Sequence, residues 1–337
     1  MATWFDLATS PPEDTWRKLR TRRSTPLSLP GKNARRDTFQ GALEQAEQQF
    51  RAASLIGYDS RPLNLFYGLS QAGRAIAAAA PALDHSQWKL SGHGLSVAES
   101  LSSLNPAVDF PKLTVKHESG DSTSFGRLSQ LLDSSTGPFT MGESWAHVHD
   151  HGLQIPFSSS IYQPMFVNLD KHRSLESPLH RVTLTLPPTL TSLPREQRPP
   201  LAEFLSQYPA LDGWKMNIAF DSEPDWPPDG QNLELRFAAS HEQVAGHEHA
   251  IQKRVRSFRS LQLVLPRVGA DAKPLHPLMA WWTILFTLSM LARYEPAKWR
   301  ALIDVDKSRF ATAIEFVMDT AIAAVPELIN ETLDAVS

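Results

Sequence analysis

The sequence predicts an α+β protein, a split helical bundle assembled from both chain ends with a strand-rich insertion in the middle. Three observations carry this. Residues 61–80 and 276–294 read as helices that are apolar nearly all round, and neither chain end could bury such a helix alone. From about residue 85 to 270 the pattern changes to short β-rich runs. Within that middle, nine of the 26 prolines (187, 188, 194, 199, 200, 209, 224, 227 and 228) crowd together, as in long loops with little helix. The boundaries that follow are a basic irregular leader over 1–36, a first part of the bundle over 37–84, the insertion over 85–273 and a second part of the bundle over 274–337.

The leader is read as irregular because no apolar period organises it. It holds Arg17, Lys18, Arg20, Arg22, Arg23, Lys32, Arg35 and Arg36, with no acidic residue between 17 and 36. Asp37 can cap the first helix, where Phe39, Leu43, Ala46, Phe50 and Ala53 recur at steps of three and four, and Gly57 can stop it. Arg61-Pro62 opens the second, with proline at the tolerated first turn, and LNLFYGLSQAGRAIAAAA carries it to Pro81. Gly68 and Gly73 weaken it locally but let another helix come close. Strand-like runs follow: LTVKH at 113–117, RVTLTL at 181–186, MNIAF at 216–220, LELRFA at 233–238 and SLQLVLP at 260–266. After Pro274 the helical signal returns. Pro277 starts the buried helix, Pro296 lies just past its end, and Ser308–Ala324 and Pro326–Val336 complete a helical tail.

Composition excludes several classes of function. Across 337 residues, 33 Lys plus Arg stand against 36 Asp plus Glu, so the chain is not built to coat nucleic acid by bulk charge. With no cysteine there is no disulfide, thiolate metal site or thiol nucleophile. The apolar run from Pro277 to Ala292 is shorter than the roughly 20 residues a bilayer requires and contains Thr283, Thr287 and Ser289, so it reads as a core helix. MATWFDLATSPPEDTW lacks a basic segment followed by an apolar one, and a cytoplasmic protein with no membrane partner is expected.

Four features invite chemistry. His147, His149 and His151 alternate, and on an extended strand they would share one face and could meet a metal. His241, His247 and His249 form a second group, with Asp150 and Glu248 as carboxylate neighbours. The competing reading, exposed loop histidines, is favoured by the absence of cysteine and of HExxH spacing, and no metal or other cofactor is assigned. GLSQAG at 68–73 is not a nucleophile elbow, because its second glycine comes one residue late and Ser70 lies inside a helix. Arg74 interrupts an apolar helix, so its charge must reach water, a carboxylate or an anion. Either it staples the bundle by pairing with Glu295 or Glu99, or Arg74, His93, Arg293 and Tyr294 line an anion pocket suited to phosphate. The basic cluster is likewise either a solvated leader or a contact surface for RNA or DNA, with Trp16 as its aromatic.

LFYGLSQAGRAI at 65–76, HGL at 93–95, LSMLARYEPAKW at 288–299 and VPELINE at 325–331 together resemble the bacterial YaaC-like family, in the same order along the chain. The helical part is similar, more loosely, to HEPN-type all-α domains. That likeness implies ribonuclease or nucleotide-handling roles in toxin and anti-phage systems. The HEPN nuclease signature, Arg and His with four to six residues between them, has two matches, Arg236 with His241 and Arg173 with His180. Pro178 interrupts the second, Arg236 sits in strand-like sequence, and neither falls on a bundle helix. The leading expectation is an intracellular accessory or effector protein that senses or acts on nucleic acid or a nucleotide, in phage defence, with a protein from the same operon as a second class of partner. A non-catalytic interaction scaffold is the alternative, and a metal-dependent hydrolase the third.

Overall fold

The computed structural model describes residues 11–24, 33–97, 101–118, 123–148, 160–169, 179–212, 226, 232–238, 255–258 and 261–337. The chain is α+β, with helices at both ends and small antiparallel sheets between them. It divides into two compact units. The first comprises Met1–Ser158, Gly269–Asp271 and Leu275–Ser337, the second Ser159–Val268 and Ala272–Pro274. The second unit therefore starts at Ser159, later than the change of sequence pattern near residue 85.

The helices of the first unit are α1 (Pro12–Ser24), α2 (Asn33–Leu55), α3 (Arg61–Ala79), the single turn α4 (Pro106–Asp109), α5 (Ser124–Leu131) and α6 (Met141–Ala146). The chain returns to this unit, after the helices described in the second, with α9 (Pro277–Tyr294), α10 (Pro296–Leu302) and α11 (Ala311–Val336). A three-stranded antiparallel sheet in the order β1 (Leu95–Val97), β2 (Thr114–His117), β3 (Phe139–Thr140) joins them. The two apolar helices meet as expected: α3 packs against α9, with Phe66 edge-on to Trp282 at 6.1 Å and to Phe286 at 5.5 Å. Gly73 makes this approach feasible, since a Cβ there would lie 2.7 Å from the Trp282 ring. Proline at the first turn starts both α3 and α9.

The leader is not irregular. Residues 12–24 form α1, whose Trp16 and Leu19 are buried, with Trp16 5.6 Å from Phe50. An isolated stripe of two apolar side chains is too weak a periodic signal to see in sequence, but it suffices once α2 and α11 offer a surface to dock on. Arg35, Arg36 and Asp37 lie inside α2, which starts at Asn33, so Asp37 is not its cap. The helical tail is also longer than its proline suggests. Pro326 sits within a continuous α11, where it gives no N–H to the carbonyl one turn before, and the helix is held by buried neighbours including Val325, Leu328 and Ile329.

In the second unit, five antiparallel strands run in the order β6 (Asn232–Ala238), β5 (Leu179–Thr185), β4 (Met165–Leu169), β8 (Leu261–Val264), β7 (Arg256–Phe258). A hairpin pairs β9 (Arg267–Val268) with β10 (Lys273–Pro274). Alternation sets the buried face: Val182 and Leu184 on β5 and Leu233 and Leu235 on β6 are buried, while Glu234 between the last two is exposed. Phe204, Tyr208 and Trp226 complete this core. The proline-rich stretch departs from the expected loop. Pro188 begins the short helix α7 (Pro188–Thr191) and Pro209 the 3₁₀ turn Pro209–Leu211, because a proline at a first turn removes only an N–H that would be orphaned anyway, while Pro200 and Pro194 are the N-caps of α8 (Leu201–Ser206) and of the 3₁₀ turn Arg195–Gln197. The expected strand at 216–220 lies outside the described residues.

Candidate functional site

Helices α3 and α9 are buried almost throughout, and the positions where they are not define the site. Within α3 only Tyr67 and Arg74 are exposed, and within α9 only Arg293 and Tyr294. Tyr67 and Arg74 are seven residues apart, two helical turns, so they share one stripe. Arg293 connects the two helices: its Nη1 donates to the Tyr67 hydroxyl at 3.2 Å, and its guanidinium lies 5.1 Å from the centre of the Tyr294 ring.

His93 joins this group from the turn that leads into β1. Gly92 (φ +60°) and Gly94 (φ +80°) on either side of it occupy the left-handed region, and a Cβ on Gly94 would lie 2.7 Å from Thr123. Neighbouring backbone pins the turn. Ser124 Oγ donates to the Gly92 carbonyl at 2.7 Å, the Phe125 N–H to the His93 carbonyl at 3.2 Å, and the Glu118 N–H to the Gly94 carbonyl at 3.0 Å. The imidazole rests on Phe66, with ring centres 5.1 Å apart, while the residue stays exposed. Partial burial, then the charges of Arg293 and of Arg74, hold its pKa below the ordinary histidine value, and Glu118 opposes them. Both guanidiniums are thus near enough to act on one imidazole. Arg74 itself makes no hydrogen bond or ion pair with another described residue, and the pairing with Glu295 is not formed; Glu295 instead lies 3.9 Å from Lys298, and Glu99 is outside the described residues.

The structure joins Arg293 to Tyr67 and Tyr294 and packs His93 on Phe66, while Arg74 is exposed two turns from Tyr67 on the same stripe of α3. It adds Tyr67, which sequence reasoning missed. The signal was there: Tyr67 is the one ring with a hydroxyl in an apolar helix, two turns before the arginine. Chemically, guanidinium groups and an imidazole that donates one hydrogen bond when neutral are donors suited to a tetrahedral oxyanion. Ser70, buried in α3, is not part of this surface.

The basic cluster is largely consumed within the protein. Arg17 pairs with Asp14 at 2.6 Å, Arg20 with Glu13 at 2.6 Å and with Glu47, Arg22 with Asp334, and Arg23 with Glu44. Arg17, Arg20, Arg23, Gln40 and Glu44 line an open groove of about 700 Å³ between α1 and α2. Arg35 is a correction to the expected nucleic-acid contacts. It is only 6% exposed, its Nε donates to the Ala78 carbonyl at 2.6 Å and its Nη2 to the Ala80 carbonyl, so it satisfies the carbonyls left open at the end of α3. Lys18 and Arg36 are exposed, and Lys32 lies outside the described residues.

The histidine clusters change as well. His147 is neither on a strand nor in an exposed loop. It follows α6 in helical conformation and is 3% exposed, with Nδ1 2.8 Å from the Glu143 carbonyl. Among the described residues no three His, Asp or Glu side chains gather as a metal would require. His149, His151, His241, His247 and His249 lie outside the described residues, as does Arg173, and Arg236 stands on β6. No helix among the described residues is long and apolar enough to cross a membrane.

Fold and site together define an α+β protein whose central helix pair opens to solvent at a cationic, tyrosine-flanked surface. A sequence profile described as YaaC-like Protein matches residues 12–333, and the chain belongs to the YaaC-like family. No curated protein and no solved structure matches it. The segments at 65–76, 93–95 and 288–299, which carry the family resemblance, are the ones that supply Tyr67, Arg74, His93, Arg293 and Tyr294.

Proposed function

We propose that this protein is an intracellular accessory or effector protein that senses a phosphate-bearing ligand of the nucleotide or nucleic-acid class at the Arg74–His93–Arg293 surface. One observation carries the reading: two otherwise buried helices expose four residues between them, two arginines and two tyrosines, and Arg293 reaches Tyr67 across the helix pair. Arg74 has no carboxylate partner among the described residues, and its side chain is exposed. Each charge-assisted hydrogen bond to a phosphate oxygen contributes roughly 1.5–3 kcal/mol. The looser likeness to HEPN-type domains supports a nucleotide-class ligand and a role in phage defence, as an analogy of fold.

The test is a thermal-shift panel of nucleotides and short RNAs against wild type and Arg74→Ala. A ligand at about a hundred times its Kd stabilises the folded state by about 2.7 kcal/mol, enough to raise Tm by several degrees. The variant should lose that rise while keeping nearly the wild-type Tm without ligand, because the side chain it lacks is exposed. A wild-type Tm unmoved by every member of the panel rejects the reading. An Arg74→Ala protein that cannot fold would show the arginine to be a structural staple instead.

A further inference from the structure

We infer that the groove between α1 and α2 is an anion site separate from the Arg74 surface, and that it takes a short run of linked phosphates, as in a di- or triphosphate group. The groove has a volume of about 700 Å³, the size of a small-molecule site, and Arg17, Arg20, Arg23, Gln40, Gly41 and Glu44 are among its walls. Three of these are arginines and one is an acid. The partners of Arg17 and Arg20, namely Asp14, Glu13 and Glu47, are not among the described lining, so the groove itself carries excess positive charge. Nor do the ion pairs exhaust the arginines, since a guanidinium has more N–H donors than one carboxylate takes. Among the described residues Arg17 spends only Nη1, on Asp14, and Arg23 only Nη1, on Glu44. Arg20, between them, is anchored through both Nη atoms, on Glu47 and Glu13.

The arrangement favours phosphates joined in a row. Gln40 Nε2 donates to the Arg23 carbonyl at 2.9 Å, which fixes the α2 wall against the last turn of α1. Arg17, Arg20 and Arg23 step along α1 three residues at a time, so the outer two start about 9 Å apart along the axis. One orthophosphate occupies a single end of that row, whereas linked phosphates offer oxygens along it. No aromatic residue is among the described lining, so no base stacks there and the phosphates carry the recognition. Glu44 is the one acid of the described walls, and a ligand competes with it for Arg23. Gly41 leaves the α2 wall open, since a Cβ there would have nothing within 4 Å.

Calorimetry on the intact protein, without divalent cations, tests this with tripolyphosphate, orthophosphate, citrate and single-stranded RNA of increasing length. Wild type should bind tripolyphosphate about tenfold or more tightly than orthophosphate or citrate. Gly41→Asp sets a carboxylate in the open groove and should cut that affinity about tenfold or more while keeping the wild-type Tm. Arg17→Ala, which costs the fold only an exposed ion pair, should weaken binding to a similar degree. Glu44→Gln should strengthen it, because Arg23 is released, and Arg74→Ala should leave it unchanged. Nucleoside monophosphates are too short for the row and report on the Arg74 surface alone, so either site can fail without the other. The inference is overturned if tripolyphosphate does not bind, if its binding survives Gly41→Asp or weakens in Glu44→Gln, or if it disappears with Arg74→Ala. Citrate bound as tightly as tripolyphosphate overturns the choice of phosphate. Affinity that climbs with RNA length beyond that of tripolyphosphate overturns the choice of a short ligand.

Discussion

His147 shows how one side chain couples the fold to pH. Its Nδ1–H donates to the Glu143 carbonyl, which leaves Nε2 as a bare nitrogen, buried and without a partner among the described residues. Burial pushes its pKa below the ordinary value of 6.5, against the smaller opposing pull of Glu143. The unfolded chain therefore takes up a proton near pH 6.5 while the folded one does not. Stability attributable to this residue is complete above pH 6.5 and declines as pH falls below it, by up to about 1.4 kcal/mol per pH unit until the folded pKa is reached. His93 contributes with the same sign. Urea midpoints between pH 7 and 5 should thus fall less steeply for His147→Asn than for wild type, and parallel slopes would show that the imidazole stays solvated. Arg35 is a second residue whose chemistry is decided by burial. It remains charged, but its surroundings are two carbonyls and the Trp88 ring at 5.9 Å rather than a ligand.

Among the elements, the contact between α3 and α9 depends on a missing side chain. Gly73→Ala would set a methyl group 2.7 Å from the buried Trp282 ring and 2.8 Å from Leu128. The alanine gains about 1 kcal/mol of helix propensity, but overpacking costs about 1–3 kcal/mol, and the core can relieve the clash only by separating the helices. A net loss of up to about 2 kcal/mol is expected in urea denaturation. Gly41, on an exposed face of α2 with nothing within 4 Å of its Cβ position, is the control: Gly41→Ala should stabilise by up to about 1 kcal/mol. If the two variants changed stability alike, α3 and α9 would not be in close contact. Element types were legible wherever the apolar pattern was strong, as in α3, α9, β5 and β6. They were not legible in α1, where docking supplies the stability, nor in the proline-rich stretch, where prolines begin short helices and 3₁₀ turns.

For the whole molecule, the first unit is assembled from segments at opposite ends of the chain. The ion pair from Arg22 to Asp334, the hydrogen bond from Tyr58 to Asp319 at 2.9 Å, and the packing of α3 on both α9 and α11 join those segments. Deleting residues 276–337 removes α9, α10 and α11 together and uncovers the apolar sides of α3. The remaining 1–275 should lose the cooperative transition of the helical unit, bind hydrophobic dyes and show weak near-ultraviolet circular dichroism. A sharp unfolding transition with native aromatic signals for α1–α3 in that fragment would disprove the split core. The same architecture sets the helices that carry Arg74 and Arg293, which come from different chain ends, side by side.

By itself, the sequence determined the α+β class and the pairing of two all-apolar helices, and it marked Arg74 as a charge that such a helix must expose or pair. It could do so because an unbroken apolar surface must be buried, and a charge within such a surface must find a partner or solvent. Tertiary structure alone decided what each basic residue does. Arg35 became a helix cap and Arg20, Arg22 and Arg23 became ion-pair partners, because their acceptors lie on other elements and proximity in space is not written in residue spacing. It also decided that Tyr67 stands beside Arg293 and that two left-handed glycines flank His93, whose ring rests on Phe66. Hydrophobic burial is specified by composition and period, whereas a polar site is specified by distances that exist only after the core has closed.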